Sequence, residues 1–400
     1  MIFLRMLGAL VAVLGWAASA PVGAATVTIV CGSSPAGLEL CREGSQAWAQ
    51  ARGHEVRVLA YPESSTRARA LIAELLEAGV GDLDVLEIDM VWPGMLAPQL
   101  LDLTDRVGGD AGPYLASAVR SFSVDGRLFA VPWSTSVGRL FYRTDLLARY
   151  GLPVPRTWEE LAASARQIQE GERAAGRGDF WGFVWQGRAG EGLTANALEW
   201  LASRGVPPIL AGDGRITVDS PQAVVALGQA VSWVDTISPG AVLEMGGGES
   251  LEAFNTGNAA FLRYWSSGLH LFGAEDSPVR GQVAMAELPA GDGPGGRHAG
   301  VLGGFGLAVA RRSKVPELAV DLVRWLTGPA EQKRRALAGG FDPSLPQLYD
   351  EPELVAARPH YPALRAALEA ATLRPAPEAR AGYDALSQAL AQGVHGILAR

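Results

Sequence analysis

The sequence predicts two α/β lobes, each a sheet flanked by helices. Three observations support this prediction. Short apolar strands alternate with amphipathic helices, the alternation restarts after Pro132, and residues 289–300 are too rich in glycine and proline for regular structure. The chain has 400 residues, which is enough for two or three domains. Its 48% of apolar and 19% of charged residues are typical of a folded globular protein.

The first part of the chain follows β-α-β order. Residues 27–30 and 55–61 have the apolar pattern of strands, and residues 66–78 carry leucine and isoleucine at helical spacing. A third strand, residues 85–88, leads directly to Asp89. Because β-α-β order implies a parallel sheet, and ligands bind beyond the carboxyl ends of such strands, Asp89 is a candidate ligand-binding residue. Capping a turn is the alternative role for this aspartate.

After Pro132 the same alternation continues to the C-terminus. Helix starts are signalled by a capping box at Thr157–Glu160 and by Ser220–Pro221, where serine is the N-cap and proline takes the first helical position. The further predicted elements are strands at 139–142, 259–264 and 305–310 and a helix at 318–326 that ends at Gly328–Pro329.

The N-terminus has the features of an export signal. Arg5 supplies a weak basic region, residues 6–18 are apolar, and Val22-Gly23-Ala24 fits a signal-peptidase site, so we expect cleavage after Ala24. A membrane anchor is the alternative, but the apolar run is shorter than the roughly 20 residues that a spanning helix needs. The mature chain is therefore expected to be exported to the periplasm.

Two cysteines, Cys31 and Cys41, remain in the mature chain. In an oxidising compartment an isolated pair is more often bridged than free. No histidine pattern accompanies them, so they make a poor zinc site. We expect a small structural disulfide.

Charge and motif content exclude several functions. Lysine and arginine number 34 against 42 aspartates and glutamates, a net charge of −8 that argues against nucleic-acid binding. There is no phosphate-binding loop of the Walker type, no HExxH, GxSxG or CxxC motif, and the histidines are scattered. No cofactor or metal is therefore expected. The many carboxylates leave a glycoside hydrolase open as an alternative.

Tryptophan usage points to carbohydrate. The chain has 11 tryptophans, and several stand beside proline, glycine, glutamine or serine instead of inside apolar helices. Aromatic faces stack on the C–H patches of sugar rings, while aspartate, arginine and asparagine bind the hydroxyls. For any single tryptophan, core packing is the simpler role. The set consists of Trp92, Trp133, Trp181, Trp185 and Trp265.

Several segments, in order and spacing, resemble the extracellular solute-binding proteins of ABC sugar importers (family 1), closest to the trehalose/maltose-binding proteins. The segments are DVLEIDMVW from Asp84, GRLFYRTDLLARYGL from Gly138, FWGFVWQG from Phe180, GNAAFLRYW ending at Trp265, DSPVRG from Asp276 and LGGFGLAVA from Leu302. The resemblance covers residues 26–388 and implies a Venus-flytrap, the two-lobed periplasmic-binding-protein fold, whose lobes are joined by hinge crossings and close on one sugar.

The resemblance implies a division of the chain. Residues 1–24 are expected to be the signal peptide. The first lobe is expected to combine residues 25–131 with 287–325, and the second lobe residues 132–286 with 326–400.

The resemblance also implies ligand-binding residues. Asp89 corresponds to an aspartate that binds sugar hydroxyls and is expected in one lobe, whereas Trp265, at a sugar-stacking position, and Arg374, at an arginine before proline, are expected in the other. Gly304 corresponds to a backbone contact, and Arg67 or Arg69 lies near a family arginine.

The chain departs from the family pattern at several of these positions. It has Ser134 and Ser136 in place of tyrosine and aspartate, Phe305 in place of tryptophan, Ser267 in place of tyrosine and Gly37 near a glutamate position. A pocket that keeps Arg374 and loses acids suggests an anionic sugar as one possible ligand. Added room filled by water is the alternative.

The function implied is therefore the periplasmic binding component of an ABC importer. It would be a monomer that captures a sugar or glycoside, either a disaccharide or a modified, anionic sugar, by hinge closure and delivers it to a membrane permease. A carbohydrate-active hydrolase and a binding protein for a non-sugar organic solute are the alternatives.

Overall fold

A computed structural model of the chain describes residues 24–32, 34–62, 65–79, 83–107 and 112–400. The predicted signal peptide, apart from Ala24, lies outside these residues. Within the described ranges, no helix combines the length and the apolar character needed to cross a membrane.

Most strands of the described chain lie in one mixed sheet. The strands are β1 (Thr26–Val30), β2 (Glu55–Leu59), β3 (Val85–Asp89), β4 (Ser123–Val124), β5 (Arg127–Leu128), β6 (Ala130–Arg143), β7 (Trp181–Val184), β8 (Ala259–Trp265), β9 (Val283–Glu287) and β10 (Leu302–Val309).

Helices surround the sheet, and most of those after Leu302 follow one another without an intervening strand. They are α1 (Pro35–Arg52), α2 (Ser65–Ala78), α3 (Pro93–Leu96), α4 (Thr104–Val107), α5 (Ala116–Ser121), α6 (Thr144–Tyr150), α7 (Trp158–Ala174), α8 (Glu191–Ser203), α9 (Pro221–Trp233), α10 (Gly247–Asn255), α11 (Pro316–Thr327), α12 (Pro329–Gly339), α13 (Pro352–Ala357), α14 (Tyr361–Glu369), α15 (Ala376–Ala379) and α16 (Tyr383–Leu398).

The strand order is β2-β1-β3-β10-β6-β8-β7, and β9 pairs with β6 beside this path. β1 is parallel to both β2 and β3, which confirms the predicted β-α-β start. β10 is antiparallel to β3 and to β6. The carboxyl ends of β1 and β3 therefore lie at one edge of the sheet, and Asp89 is the last residue of β3.

The strand predicted at residues 139–142 is the second part of β6, which begins before Pro132 and runs through this proline as one strand of 14 residues. The register between β6 and β10 shifts next to Phe305, so that Phe305 is opposite Ser134 and Gly306 is opposite Pro132. Trp133 is thus the extra residue of a β-bulge. A bulge is one of the few places where a strand accepts a residue without an N–H group.

The two halves of β6 belong to different cores. Up to Val137, the strand pairs with β10, and from Gly138 onwards it pairs with β8 and β9. The first core contains buried apolar side chains from residues 27–137 and 302–383. The second contains those from residues 140–301, in two clusters that share strands β6 and β8, together with the end of α16. β6 therefore passes from one core into the other.

The packing of the C-terminal segment differs from the predicted division. Residues 326–400 were expected in the second lobe, but Leu326, Tyr349, Leu364 and Tyr383 pack in the first core. The end of α16 contributes Val394 and Leu398 to the second core. Helical patterning alone shows which face of a helix is buried, and it does not show which sheet covers that face.

Both helix starts singled out in the sequence are confirmed. The Thr157 side chain accepts a hydrogen bond from the Glu160 amide, and the Glu160 carboxylate accepts one from the Thr157 amide in return. The Ser220 side chain caps α9, whose first residue is Pro221, by accepting from the Ala223 amide.

A disulfide joins Cys31, just beyond β1, to Cys41 within α1. The two Cα atoms are 6.5 Å apart, and both cysteines are fully buried. The bond fixes the first helix to the end of the first strand, next to the sheet edge where Asp89 lies.

Replacing both cysteines by serine is expected to lower the free energy of unfolding by about 2–3 kcal/mol, because the bond closes a short loop in the unfolded chain. Urea unfolding of the oxidised mature protein and of the double variant would measure the difference. The reduced wild type is the control and should match the variant, and equal stability of all three proteins would contradict the prediction.

Candidate ligand-binding site

Sheet register places three of the predicted site residues in one row. Phe305 on β10 pairs with Asp89 on β3 on one side and with Ser134 on β6 on the other. Cross-strand partners have their Cβ atoms about 5 Å apart on the same face of a sheet. Asp89 and Ser134 are buried and Phe305 is half-buried, so this row forms one wall of the candidate site.

Asp89 is held by an arginine from a distant part of the chain. Its Oδ1 atom accepts a hydrogen bond from the Val91 amide at 3.2 Å and from Arg374 Nη2 at 3.0 Å. Arg374 Nη1 donates to Glu191 Oε1 at 2.8 Å. One guanidinium thus lies between two carboxylates that come from different cores, because Asp89 ends β3 and Glu191 begins α8.

Glu191 is a site residue that the sequence reasoning did not identify. Its Oε1 atom also accepts from Tyr383 Oη at 2.6 Å, and its Oε2 atom accepts from Ser387 Oγ at 2.6 Å. Both donors come from α16. The only sequence signal was its place in the segment after FWGFVWQG; no linear pattern pairs it with an arginine 183 positions away.

Burial and charge act in opposite directions on Arg374. Burial lowers the pKa of its guanidinium, but the nearby carboxylates of Asp89 and Glu191 outweigh burial and raise it above its usual range. The pKa of Tyr383 is raised well above its usual range by burial, and the charge of Glu191 adds to this. Arg374 is therefore a permanent cation, and Tyr383 remains a neutral donor to Glu191.

The charge balance at Arg374 argues against an anionic ligand. Asp89 and Glu191 carry two negative charges against one positive charge, so the acids that the resemblance implies at positions 136 and 37 are offset by Glu191. The guanidinium Nε atom is buried and has no hydrogen-bond partner within the described residues. A carboxylate on the ligand would add a third negative charge beside this single guanidinium, and like charges at close range disfavour one another.

The position of Arg374 differs from the expectation that it serves the same lobe as Trp265. The preceding Thr372 pairs with the first residues of β10, since its carbonyl accepts from the Leu302 amide at 2.8 Å. Leu373 and Ala376 pack against the first core. Asp89 and Arg374 therefore belong to one side of the site, and Glu191 faces them from the other.

Trp265, the last residue of β8, is a half-buried aromatic ring with a cation beneath it. The Arg263 guanidinium carbon lies 4.4 Å from the ring centroid. Arg263 is itself fixed by two hydrogen bonds to the buried Glu199 and one to Gln186. Burial raises the pKa of Glu199, although Arg263 opposes this shift. The Trp265 ring thus packs on a guanidinium that is itself held in place by hydrogen bonds.

The glycines of β10 allow this strand to approach its neighbours. A Cβ atom on Gly303 would lie 2.8 Å from the Trp265 ring and 2.9 Å from Ser136 Oγ. Gly304 has φ +147°, and a Cβ atom there would lie 2.4 Å from the Ser134 carbonyl oxygen. The Gly304 carbonyl accepts from the Met90 amide at 3.2 Å. Glycine at positions 303 and 304 therefore allows β10 to pack closely against Trp265 and β6.

The remaining predicted residues lie at the margins of the site. Ser267 is half-buried in the 3-10 segment Ser266–Gly273, and its carbonyl accepts from His270 Nδ1 at 2.7 Å. Arg67 is exposed on α2. Arg69, the other candidate, lines a small cavity together with Glu191 and pairs with Asp384 at 2.9 Å.

The geometry favours binding over hydrolysis. A glycoside hydrolase needs two carboxylates on either side of the scissile bond. Asp89 and Glu191 do face each other, but the Arg374 guanidinium occupies the space between them, within 3.0 Å of one and 2.8 Å of the other. In the described part of the chain, no three histidine, cysteine, aspartate or glutamate residues are arranged to hold a metal ion.

Comparison with protein families identifies the chain. A sequence model of the family described as "Bacterial extracellular solute-binding protein" matches residues 42–333. The chain belongs to this family. The resemblance stated from the sequence is thereby confirmed.

Individual relatives of this solute-binding protein agree with that assignment. A Deinococcus radiodurans protein named "Probable ABC transporter-binding protein" is 39% identical over 400 residues, covering 100% of this chain and 94% of its own length. The arabinooligosaccharide-binding protein of Bacillus subtilis is 22% identical over 79% of this chain and 72% of its own length. The structure of maltose-bound MalE3 from T. maritima superposes with a TM-score of 0.87 at 35% identity, covering 94% of this chain and 95% of that one. These relatives confirm the predicted two-lobed fold.

A buried hydrogen-bond chain joins the two cores of this solute-binding protein beside β6. The Val137 amide donates to Ser266 Oγ at 3.0 Å, and that hydroxyl donates to Asp342 Oδ2 at 2.6 Å. The Thr135 amide donates to the Asp342 carbonyl at 2.9 Å. Ser266 follows β8 of the second core, whereas Asp342 follows α12 of the first.

Burial raises the pKa of Asp342 to about 7, although Ser266, Arg358 and Arg139 lower it. An unfolded aspartate titrates near 3.9. The folded protein therefore binds this proton more tightly than the unfolded chain does. Proton binding by Asp342 thus adds to the free energy of unfolding, and this contribution is fully present below about pH 4. It is lost as the pH rises to about 7, and it changes little above that.

Asp342→Asn is expected to flatten the pH dependence of unfolding between pH 5 and pH 8, because the amide does not titrate. Chemical unfolding at both pH values would measure this change in the mature protein and the variant. Asp321→Asn is the matched control: burial raises the pKa of Asp321, but hydrogen bonds from Arg52 and Trp48 outweigh it, so Asp321 titrates below this range. If the stability of Asp342→Asn changes with pH as steeply as that of the wild type, the raised pKa assigned to Asp342 is contradicted.

Proposed function

We propose that this protein is the substrate-binding component of an ABC importer and that it captures a neutral sugar or sugar-like polyol. The observation that carries the proposal is the bridge from Asp89 through Arg374 to Glu191, with Phe305 paired beside Asp89 and the Trp265 ring packed against Gly303 of the same strand. Charged hydrogen-bonding groups beside aromatic faces are the elements with which proteins bind sugars.

The relatives support this class of ligand. MalE3 of T. maritima is maltose-bound in its structure, and the relative from Bacillus subtilis is named for an arabinooligosaccharide. Both ligands are neutral. The negative excess of charge around Arg374 supports the same conclusion, so we set aside the anionic sugar that the missing acids suggested.

Hinge closure is expected because the site residues come from both cores. Asp89 and Arg374 are attached to the first core, whereas Glu191 and Trp265 are attached to the second. A ligand that contacts both sets binds a closed arrangement more tightly than an open one, and it shifts the population toward closure by that difference in affinity. The crossing strand β6 and the hydrogen bonds around Asp342 lie where the two cores meet, so the hinge would include them.

The setting of this function follows from the same assignment. We propose that the signal peptide is cleaved after Ala24, that the mature protein acts as a monomer in the periplasm, and that its closed form delivers the ligand to the transmembrane permease of the importer. We propose no catalytic activity and no cofactor. A hydrolase would turn over aryl glycosides, whereas this protein is expected to leave them intact. A binding protein for a non-sugar solute would respond to none of the sugars below.

A thermal-shift panel would test the ligand class. At 100 times its dissociation constant, a ligand adds about 2.7 kcal/mol of stability, which is a clear rise in melting temperature. We expect neutral sugars such as maltose, arabinotriose or D-mannitol to include at least one that stabilises the mature protein, and the matching sugar acids to have no effect. Stabilisation by sugar acids alone would contradict the charge argument, and no response to any sugar would contradict the proposed function.

Trp265→Ala is expected to weaken binding of the stabilising sugar by about 1–3 kcal/mol, because the stacking surface is removed. Isothermal titration would measure this change. Trp181→Ala is a matched control, since Trp181 is also a half-buried ring with an arginine carbon, that of Arg173, at 4.4 Å. Trp181 begins β7 and pairs with Ala259, the first residue of β8, whereas Trp265 is the last residue of β8. Equal effects of the two substitutions would remove Trp265 from the site.

A further inference from the structure

Phe341 is a half-buried ring at the sheet edge where the candidate site lies. It follows α12 after a two-glycine turn in which Gly340 has φ +66°. Its Cζ atom would lie 3.4 Å from a Cβ atom on Gly37, near the start of α1. That same Cβ atom would lie 3.7 Å from Gly32, directly beyond the carboxyl end of β1. The ring therefore lies beside the strand ends where ligands bind in such sheets.

One face of the Phe341 ring is covered by a buried cation. The Arg335 guanidinium carbon lies 4.4 Å from the Phe341 centroid and 3.4 Å from the Trp133 centroid, so that the cation lies between two rings. Arg335 is buried, and the carboxylate of the buried Glu87 on β3 is the main charge that balances it. The stack fixes the Phe341 ring, and Glu87 is two residues before Asp89.

The Arg335 guanidinium is not held mainly by ion-pair hydrogen bonds. Its Nε and Nη1 atoms are buried and have no hydrogen-bond partner within the described residues. Burial lowers its pKa to about 10, against the opposing effect of Glu87. A buried guanidinium with unmet donors is costly unless its planar faces are well packed. Trp133 and Phe341 supply that packing.

The second core also reaches this position. A Cβ atom on Gly340 would lie 2.5 Å from the His270 ring, and His270 belongs to the 3-10 segment that follows Trp265. Phe341 is therefore next to a contact between the two cores, on the side where Ser267 lies. A ring at this position borders the space that closes when the cores approach each other.

We propose that Phe341 is a second aromatic platform of the ligand site, on which the apolar C–H face of a sugar ring packs while Trp265 contacts another part of the ligand. The proposal rests on the sugar-binding function proposed above and specifies how the ligand is selected. Because Arg335 draws electron density from the covered face, the open face acts mainly through dispersion and burial of apolar area.

Gly37 leaves the edge of the Phe341 ring uncovered. A Cβ atom at position 37 would lie in van der Waals contact with the tip of the ring, 3.4 Å from Cζ. A larger side chain there would extend beside the ring, so glycine keeps this part of the platform open.

The test compares Phe341→Ala, Phe341→Leu and Trp181→Ala with the wild-type mature protein by isothermal titration with maltose, arabinotriose and D-mannitol. Truncation to alanine is expected to weaken binding about ten- to a hundredfold, as for a buried aromatic contact. Leucine keeps the packing on Arg335 but loses the planar face, so its loss should be smaller, about three- to tenfold. Trp181→Ala should bind as the wild type does.

The outcomes of this test distinguish failure of the Phe341 platform from failure of the proposed function. If the wild type binds a sugar and both Phe341 variants bind it equally well, the platform is overturned and the proposed function stands. If the wild type binds none of the three, the proposed function fails and the platform fails with it. Melting temperatures show whether each variant is still folded. If Phe341→Ala has lost its fold, the sugar affinity of Phe341→Leu decides the test.

Discussion

The strand β6 is the constraint on which the rest of this structure depends. Its first half pairs with β10 in one core and its second half pairs with β8 and β9 in the other. The same 14 residues therefore contribute a strand to the sheet of each core. The bulge at Trp133 lets this strand accept Pro132, and it sets the register that aligns Ser134, Phe305 and Asp89. The site is assembled from that register.

Electrostatics at the site is organised around buried arginines. Arg374, Arg263 and Arg335 are each buried, and each is next to a carboxylate or an aromatic ring that belongs to the candidate site. A guanidinium remains charged under all ordinary conditions and presents a flat face as well as several donors. Arg374 uses its donors to join two carboxylates, whereas Arg263 and Arg335 use their faces to support Trp265 and Phe341.

Much of the fold could be predicted because it depends on local patterns. The parallel strands β1 to β3, the capping box at Thr157 and the start of α9 each follow from residues close together in the chain. Asp89 could be predicted from the β-α-β order, but its strand partners Phe305 and Ser134 were accessible only through the resemblance to a family. Glu191 was missed because its role depends on a contact with Arg374 across 183 positions. The packing of Leu326 to Tyr383 in the first core was not predicted for a similar reason, since a helix pattern does not specify its partner sheet.

The distribution of the two cores along the chain has a consequence for the order of folding. The second core is drawn almost entirely from the continuous segment 140–301, whereas the first combines residues 27–137 with residues 302–383. During synthesis or translocation, the continuous core can form as soon as its own segment is available. The first core must wait for chain that emerges much later, and its early strands remain without β10 until then. The half of the protein that begins the sequence is therefore the half that folds last.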